Sequence, residues 1–262
     1  MILQSPYRAG LTALCALVLS ACAAPQKDIS LIPTQTADVT SKDGVFTQPL
    51  QYERQKPGCK GDCPRLKVDS LIFPGNKALT DYVDQQLADM TQFDGTYTAQ
   101  ASVSDFTDYY WVHAGPRDEV ILSSKVRYRN QYLTVLELGA WQYLTGAAHG
   151  MGEIRFINWD NQKKQALTLK DIVKPNQLPA FIEKLQQAHQ RWLATQEAAQ
   201  ENPTEYNRLW PFQPSDNIAL TDAGVVVKYN SYEIAPYSSG QPELLIPYPE
   251  LRGILHPAYL PR

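Results

Sequence analysis

Few side chains in this sequence are spaced for catalysis. Four histidines occur, His113, His149, His189 and His256. No two stand at the spacing of an HExxH or similar metal-binding pair. There is no GxSxG elbow, no phosphate loop and no nucleophile–base pair recognisable by spacing. The carboxylate pairs Asp81/Asp84 and Asp105/Asp108 read as solvated helix faces. A glycosidase would need two carboxylates at a set distance in space, which sequence does not fix. The residue types point to binding, with no metal or other cofactor expected and no enzyme activity; a hydrolase of cell-wall material is the lesser alternative. His149 lies between Gly146 and Gly150. Its ring either hydrogen-bonds the backbone to fix a turn or contacts a ligand. His189 reads as a surface or boundary residue of a helix. Tyr232, Tyr237 and Tyr248 cluster late in the chain with Pro236 and Pro247, in a sequence holding 15 Tyr and 5 Trp. They read either as a packed tail with hydroxyls satisfied at its rim or as an aromatic groove for a glycan or protein partner. With Tyr143 and His149 they form the candidate ligand-binding set.

Two further cysteines, Cys59 and Cys63, sit in Pro-Gly-Cys-Lys-Gly-Asp-Cys-Pro. Outside the cytoplasm such a pair becomes a disulfide. Half a metal site and an exposed redox switch are the alternatives, and no second Cys/His pair stands at ligand spacing. The glycines and prolines form a turn able to bring the sulfurs together. So short a loop removes little unfolded-state entropy, so a bridge there shapes the turn more than it sets stability.

The chain begins with Arg8 as its only early charge, then a run from Leu11 to Ala21 that is almost wholly apolar or small. This is the layout of a secretory signal, and it falls short of the roughly 20 apolar residues that span a bilayer. It ends in Leu19-Ser20-Ala21-Cys22, similar to a lipobox cut before an acylated Cys22; a plain secretory signal cut near Ala21, Ala23 or Ala24 is the alternative. Residues 1–21 are thus expected to be a lipoprotein signal peptide and 22–45, polar and aperiodic, a flexible tether. Multiple acyl chains would hold the protein to a membrane. No Asp follows Cys22 directly, a pattern similar to outer-membrane sorting in Gram-negative bacteria. The expected place is the cell envelope, on the outer membrane and facing the periplasm. Without Arg8 the charge is 23 − 27 = −4, which gives no electrostatic reason to bind nucleic acid.

The elements that must position these residues follow from periodicity. Strand candidates are Val45–Tyr52 and Leu66–Phe73. Leu79, Tyr82, Val83, Leu87 and Met90 fall at helical spacing, with Asn76 placed as cap and Gly95 beyond the end. Residues 97–113 are ambiguous, although Ala101, Phe106, Tyr109, Tyr110 and Val112 would share a helix face. Strands from Val120 to Tyr128, Tyr132 to Tyr143 and Glu153 to Trp159 form an antiparallel meander. A long helix carries Leu178, Phe181, Ile182, Leu185, Trp192 and Leu193 on one stripe and ends at Asn202-Pro203. Short strands at Val225–Tyr229 and Leu244–Ile246 close the chain. The fold class is α+β, with helices packed on a largely antiparallel sheet.

Several motifs recur in a familiar order: Thr145-Gly-Ala-Ala-His149-Gly150, the strand Ile154–Trp159, Ala166–Ile172, Tyr232–Gly240 and Leu245–Tyr248. This series resembles the extracellular domain of RsiV-type proteins, lysozyme-sensing anti-sigma factors and accessory domains of peptidoglycan deacetylases. It covers about residues 118–255. The resemblance implies a small N-terminal α+β module at 46–115, an RsiV-type α+β domain at 116–262, and a lysozyme-like cell-wall hydrolase or peptidoglycan as partner. The anti-sigma factors carry a cytoplasmic segment and a membrane-spanning helix; a short signal stands in their place here. Fractionation tests the lipobox: Cys22→Ser should move the exported protein from the membrane to the soluble fraction, and identical partitioning would refute it.

Overall fold

The computed structural model describes residues 46–260. The expected signal, Cys22 and tether lie outside the described residues. β1 (Gln48–Gln55) and β2 (Arg65–Ile72) pair antiparallel across a turn closed by a Cys59–Cys63 disulfide. β2 then pairs in parallel with β3 (Glu119–Arg129). Parallel neighbours need a long crossover, here supplied by α1 (Lys77–Met90) and α2 (Val103–His113). β3, β4 (Leu133–Tyr143), β5 (Met151–Asp160) and β6 (Gln165–Leu167) follow as an antiparallel meander, in sheet order β1-β2-β3-β4-β5-β6. One sheet therefore runs through both segments that flank residue 115. A second sheet holds β7 (Ile218–Leu220), β8 (Gly224–Lys228) and β9 (Glu243–Pro247), all antiparallel. Between the sheets in sequence lie α3 (Leu169–Ile172), α4 (Leu178–Leu193), α5 (Glu197–Glu201) and α6 (Pro203–Leu209). The α+β class holds.

β4 is the central strand, and nearly every residue in it is buried. The reason is coverage on both faces. Leu136, Leu138 and Ala140 join Leu66, Val68, Val120 and Leu122 under Leu79, Val83 and Leu87 of α1 and Phe106 and Tyr110 of α2. Leu133 and Val135 point the other way, with Phe156, into a core built by Phe181 and Leu185 of α4 and the second sheet.

Local signals explain most boundaries. The Asn76 side chain accepts a hydrogen bond from the Leu79 N–H and starts α1. Ser102 does the same for α2 through Asp105 N–H, which resolves the ambiguous stretch as a helix. Its buried stripe includes Phe106 and Tyr110, but Ala101 precedes the helix and Val112 is 74% exposed. The long helix stops at Leu193 rather than at Asn202. Asn202 instead caps α6 and Pro203 occupies its first turn, where a missing N–H costs nothing. His189 departs from its expected surface place: it is 2% exposed, stacked near Trp192 and Phe212, and burial holds its pKa below the ordinary value. Asp81, Asp105 and Asp108 are exposed. Asp84 is half-buried, and that burial raises its pKa.

The sheets are joined by side-chain amides. The outer edge of β5 has only short β6 to pair with, at Asn158–Asp160. Along the rest, Asn217 Oδ1 accepts from Phe156 N–H at 2.7 Å while Nδ2 donates to the carbonyls of Ile154 and Lys228. Asn230 Oδ1 accepts from Ile154 N–H. In return Asn158 donates to Ile218 O and accepts from Leu220 N–H. Asn217→Ala should leave those backbone groups unpaired and cost about 3 kcal/mol in chemical denaturation. Asn207→Ala, on an exposed helix face, should stay within about 0.5 kcal/mol of wild type.

Candidate functional site

The loop between β4 and β5 carries His149, and its two ends are pinned by different physics. At the start, the buried Asp118 carboxylate accepts hydrogen bonds from Thr145 N–H (2.6 Å), Thr145 Oγ1–H (2.7 Å), Gly115 N–H (2.9 Å) and Tyr97 O–H (2.8 Å). Burial alone would raise the Asp118 pKa. The bonds from Thr145, Gly115 and Tyr97 outweigh it and hold the carboxyl below its ordinary value. At the far end, Gly150 lies flat against the Trp141 indole. A Cβ there would stand 2.1 Å from Trp141 Cζ2. Only glycine allows this approach.

A second loop, between β8 and β9, comes up beside the first. Asn230 ties it to β5, and Tyr232 holds a positive φ of 73° with its N–H bonded to Ala235 O. That backbone conformation is uncommon for a bulky residue and marks a constrained position. Tyr237 O–H donates to Gly150 O at 3.0 Å, locking the two loops together.

These constraints produce a row of rings. His149 stacks on Tyr237 with centroids 4.2 Å apart, Tyr237 faces Tyr232 at 5.8 Å, and Tyr232 faces Trp210 at 6.1 Å; each pair is tilted by 30°. Tyr232 is 44% and Tyr237 38% exposed. His149 Nδ1 lies 3.0 Å from Gly150 O, so Nδ1–H donates there and Nε2 is left as an acceptor, 3.5 Å from Tyr232 O–H. His149 is thus fixed to backbone and placed in an exposed aromatic row at once.

Of the candidate residues, His149, Tyr232 and Tyr237 come together. Tyr248 does not: it is buried in the second core with its hydroxyl donated to Thr221 O at 2.7 Å. Tyr143 is half-buried at the end of β4, opposite Glu119, and outside the row. Trp210, just past α6, completes the row without any motif to announce it; only its aromatic character could have drawn notice. Among the described residues no group of three His, Cys, Asp or Glu side chains is placed to hold a metal, and Cys59 and Cys63 are joined to each other. The row offers flat, partly polar rings to an incoming surface. Gly150→Ala should force the Trp141 indole aside, lowering stability by about 1–3 kcal/mol and shifting tryptophan emission. Ala148→Ser in the same exposed loop should change neither.

Residues 170–249 match the family model described as "Protein of unknown function (DUF3298)", a span that holds Trp210, Tyr232 and Tyr237. No curated protein matches the chain. A crystal structure of a DUF3298 family protein from Pseudomonas aeruginosa PAO1 is similar at 36% identity and a TM-score of 0.77, covering 83% of this chain and 97% of that one. A DUF3298 family member from Bacteroides fragilis NCTC 9343 shares the fold at 22% identity and a TM-score of 0.64, over 81% and 94% of the two chains. Identity at that level along nearly the whole Pseudomonas chain places this protein in the DUF3298 family.

Proposed function

We propose that the protein is an envelope-anchored binding module whose aromatic row docks a lysozyme-like cell-wall hydrolase. The observation that carries this reading is the row of His149, Tyr237, Tyr232 and Trp210, in which the first three rings are exposed and Trp210 is half-buried. Tyrosine and tryptophan are the side chains that dominate protein interfaces, since each buries a rigid ring and keeps a polar handle. Tyr232 and Tyr237 stand exposed on the surface, an arrangement suited to docking. The partner's identity rests on the likeness of the motifs around Thr145–Gly150 and Tyr232–Gly240 to RsiV-type ectodomains. Charge supports it: a chain of net −4 after loss of Arg8 steers a basic hydrolase by opposite sign. Held by a lipid at Cys22, the module would act by capture or inhibition at the cell wall.

A glycan is the second reading, favoured by the repeated 30° tilt between successive rings, which suits stacking along a sugar chain. Calorimetry with bacterial lysozyme, animal lysozyme and soluble peptidoglycan fragments separates the two. The docking reading expects a micromolar or tighter complex with a lysozyme, weakened by 2 kcal/mol or more, about thirtyfold, in Tyr237→Ala. Heat from the fragments alone would replace it with the glycan reading, and no heat from any of the three would refute both.

A further inference from the structure

The row lies on the second sheet's side of the molecule. The opposite end of the large sheet is a different kind of surface, because β1 is an edge strand eight residues long. Among the described residues nothing pairs with its outer side. Every β1 side chain except half-buried Tyr52 is exposed. An edge of this length is a template for another strand unless it is blunted.

Which groups face outward follows from the hydrogen bonds around it. Lys56 N–H bonds to Pro64 O, toward β2, while Arg65 N–H bonds to Asp118 O on the far side of β2. Antiparallel pairing alternates, so Arg54, Tyr52 and Leu50 spend their backbone groups on β2. Gln51, Glu53 and Gln55 turn theirs outward. Pro49, on the same outward phase, has a carbonyl to offer and no N–H, which is the one position where an edge tolerates proline.

We propose that this edge pairs with the β1 edge of a second copy of the chain, antiparallel about a twofold axis at Tyr52. A twofold interface is self-complementary, and an outward residue can only face another outward residue, so few registers exist. An axis at Glu53 sets Glu53 against its own charge. An axis at Gln51 sets the Glu53 carbonyl against Pro49, which has no N–H. The axis at Tyr52 avoids the charge clash and moves the proline mismatch to the ends of the ladder, where the Gln55 carbonyl faces Pro49 and stays unpaired. Gln51 and Glu53 then exchange backbone bonds on either side of the axis, and Gln55 N–H meets the Pro49 carbonyl. Two Tyr52 rings meet at the axis, and aromatic pairs opposite one another stabilise a ladder. Each Leu50 faces an Arg54 of the second copy. Leu50 lines a groove with Asp81, Asp84, Asp108 and its own chain's Arg54, so the incoming arginine joins one cation beside three carboxylates. The two six-stranded sheets would become one of twelve.

Sedimentation equilibrium of the exported Cys22→Ser chain, from low micromolar to submillimolar concentration, tests the pairing. The proposal expects a reversible dimer. Gln51→Pro removes an outward N–H that β2 does not use, and should weaken the dimer by tenfold or more. Tyr52→Cys places two thiols at the closely spaced, non-hydrogen-bonded pair on the axis, so it should oxidise to a disulfide-linked dimer; Leu50→Cys, opposite Arg54, should not. A monomer at all concentrations overturns the proposal. So does a dimer that is indifferent to Gln51→Pro and does not cross-link at position 52. Hydrogen exchange in the dilute monomer adds a third check: amides of Gln51, Glu53 and Gln55 already protected there would mean that another part of the chain covers the edge, which also overturns it. None of these readouts involves the aromatic row, so the hydrolase-docking reading stands or falls separately.

Discussion

The outer edge of β5 is the constraint from which the rest of the molecule follows. A strand edge pressed against a core cannot leave its N–H and C=O groups unpaired without a cost of a few kcal/mol each. A further strand would satisfy them, but β6 covers only three residues of the edge. The chain instead sends three asparagine side chains across the gap. Asn217 and Asn230 serve β5, and Asn158 serves β7. An amide side chain carries one acceptor and two donors, the same groups a neighbouring peptide would present. The second sheet is therefore attached in one register, and its loops arrive at one place.

Beside this seam lies a charged one. Glu137 of β4 is almost fully buried, yet it meets Arg127 at 2.6 Å, Lys228 at 3.0 Å and Lys125 at 3.1 Å. Arg127 and Lys228 also hold Glu243 of β9, each at 2.9 Å. Burial would raise the Glu137 pKa, but its hydrogen bonds to Lys228 and Lys125 overcome that and keep it ionised. Such a network is weak evidence of net stability, because desolvation offsets much of the attraction. Its stronger effect is on specificity: slipping β8 or β9 would strand a buried charge. Amides and ions thus fix the same interface by different rules, the first through backbone valence and the second through charge.

The aromatic row depends on both seams. Tyr232 and Tyr237 ride on the loop between β8 and β9, and Asn230 ties the start of that loop to Ile154. His149 rides on the loop between β4 and β5, held by Asp118 and by the contact of Gly150 with Trp141. The row forms only when both loops are in place. That arrangement orders the rings in advance, which would spare the proposed partner the entropy of ordering them.

Much of this was written in the sequence. Asn76 and the spacing from Leu79 to Met90 determined α1, because capping and a 3.6-residue stripe are local facts. The alternation and turns of residues 120–159 determined the meander, and the cysteine spacing in a Pro- and Gly-rich turn made the disulfide geometrically natural. His149 and the late tyrosines stood out by type and setting. Other features are not local. Whether Asn202-Pro203 ends one helix or starts the next depends on where the chain must turn to cover a core. His189 and Tyr248 are buried by elements far from them in sequence, and Trp210 enters the row only because α6 ends beside Tyr232. The parallel pairing of β2 with β3 and the amide seam join residues some 50 to 75 positions apart. Periodicity reports which face of an element is apolar. It does not report which distant backbone edge will need an asparagine, and that need was decided only when the two sheets met.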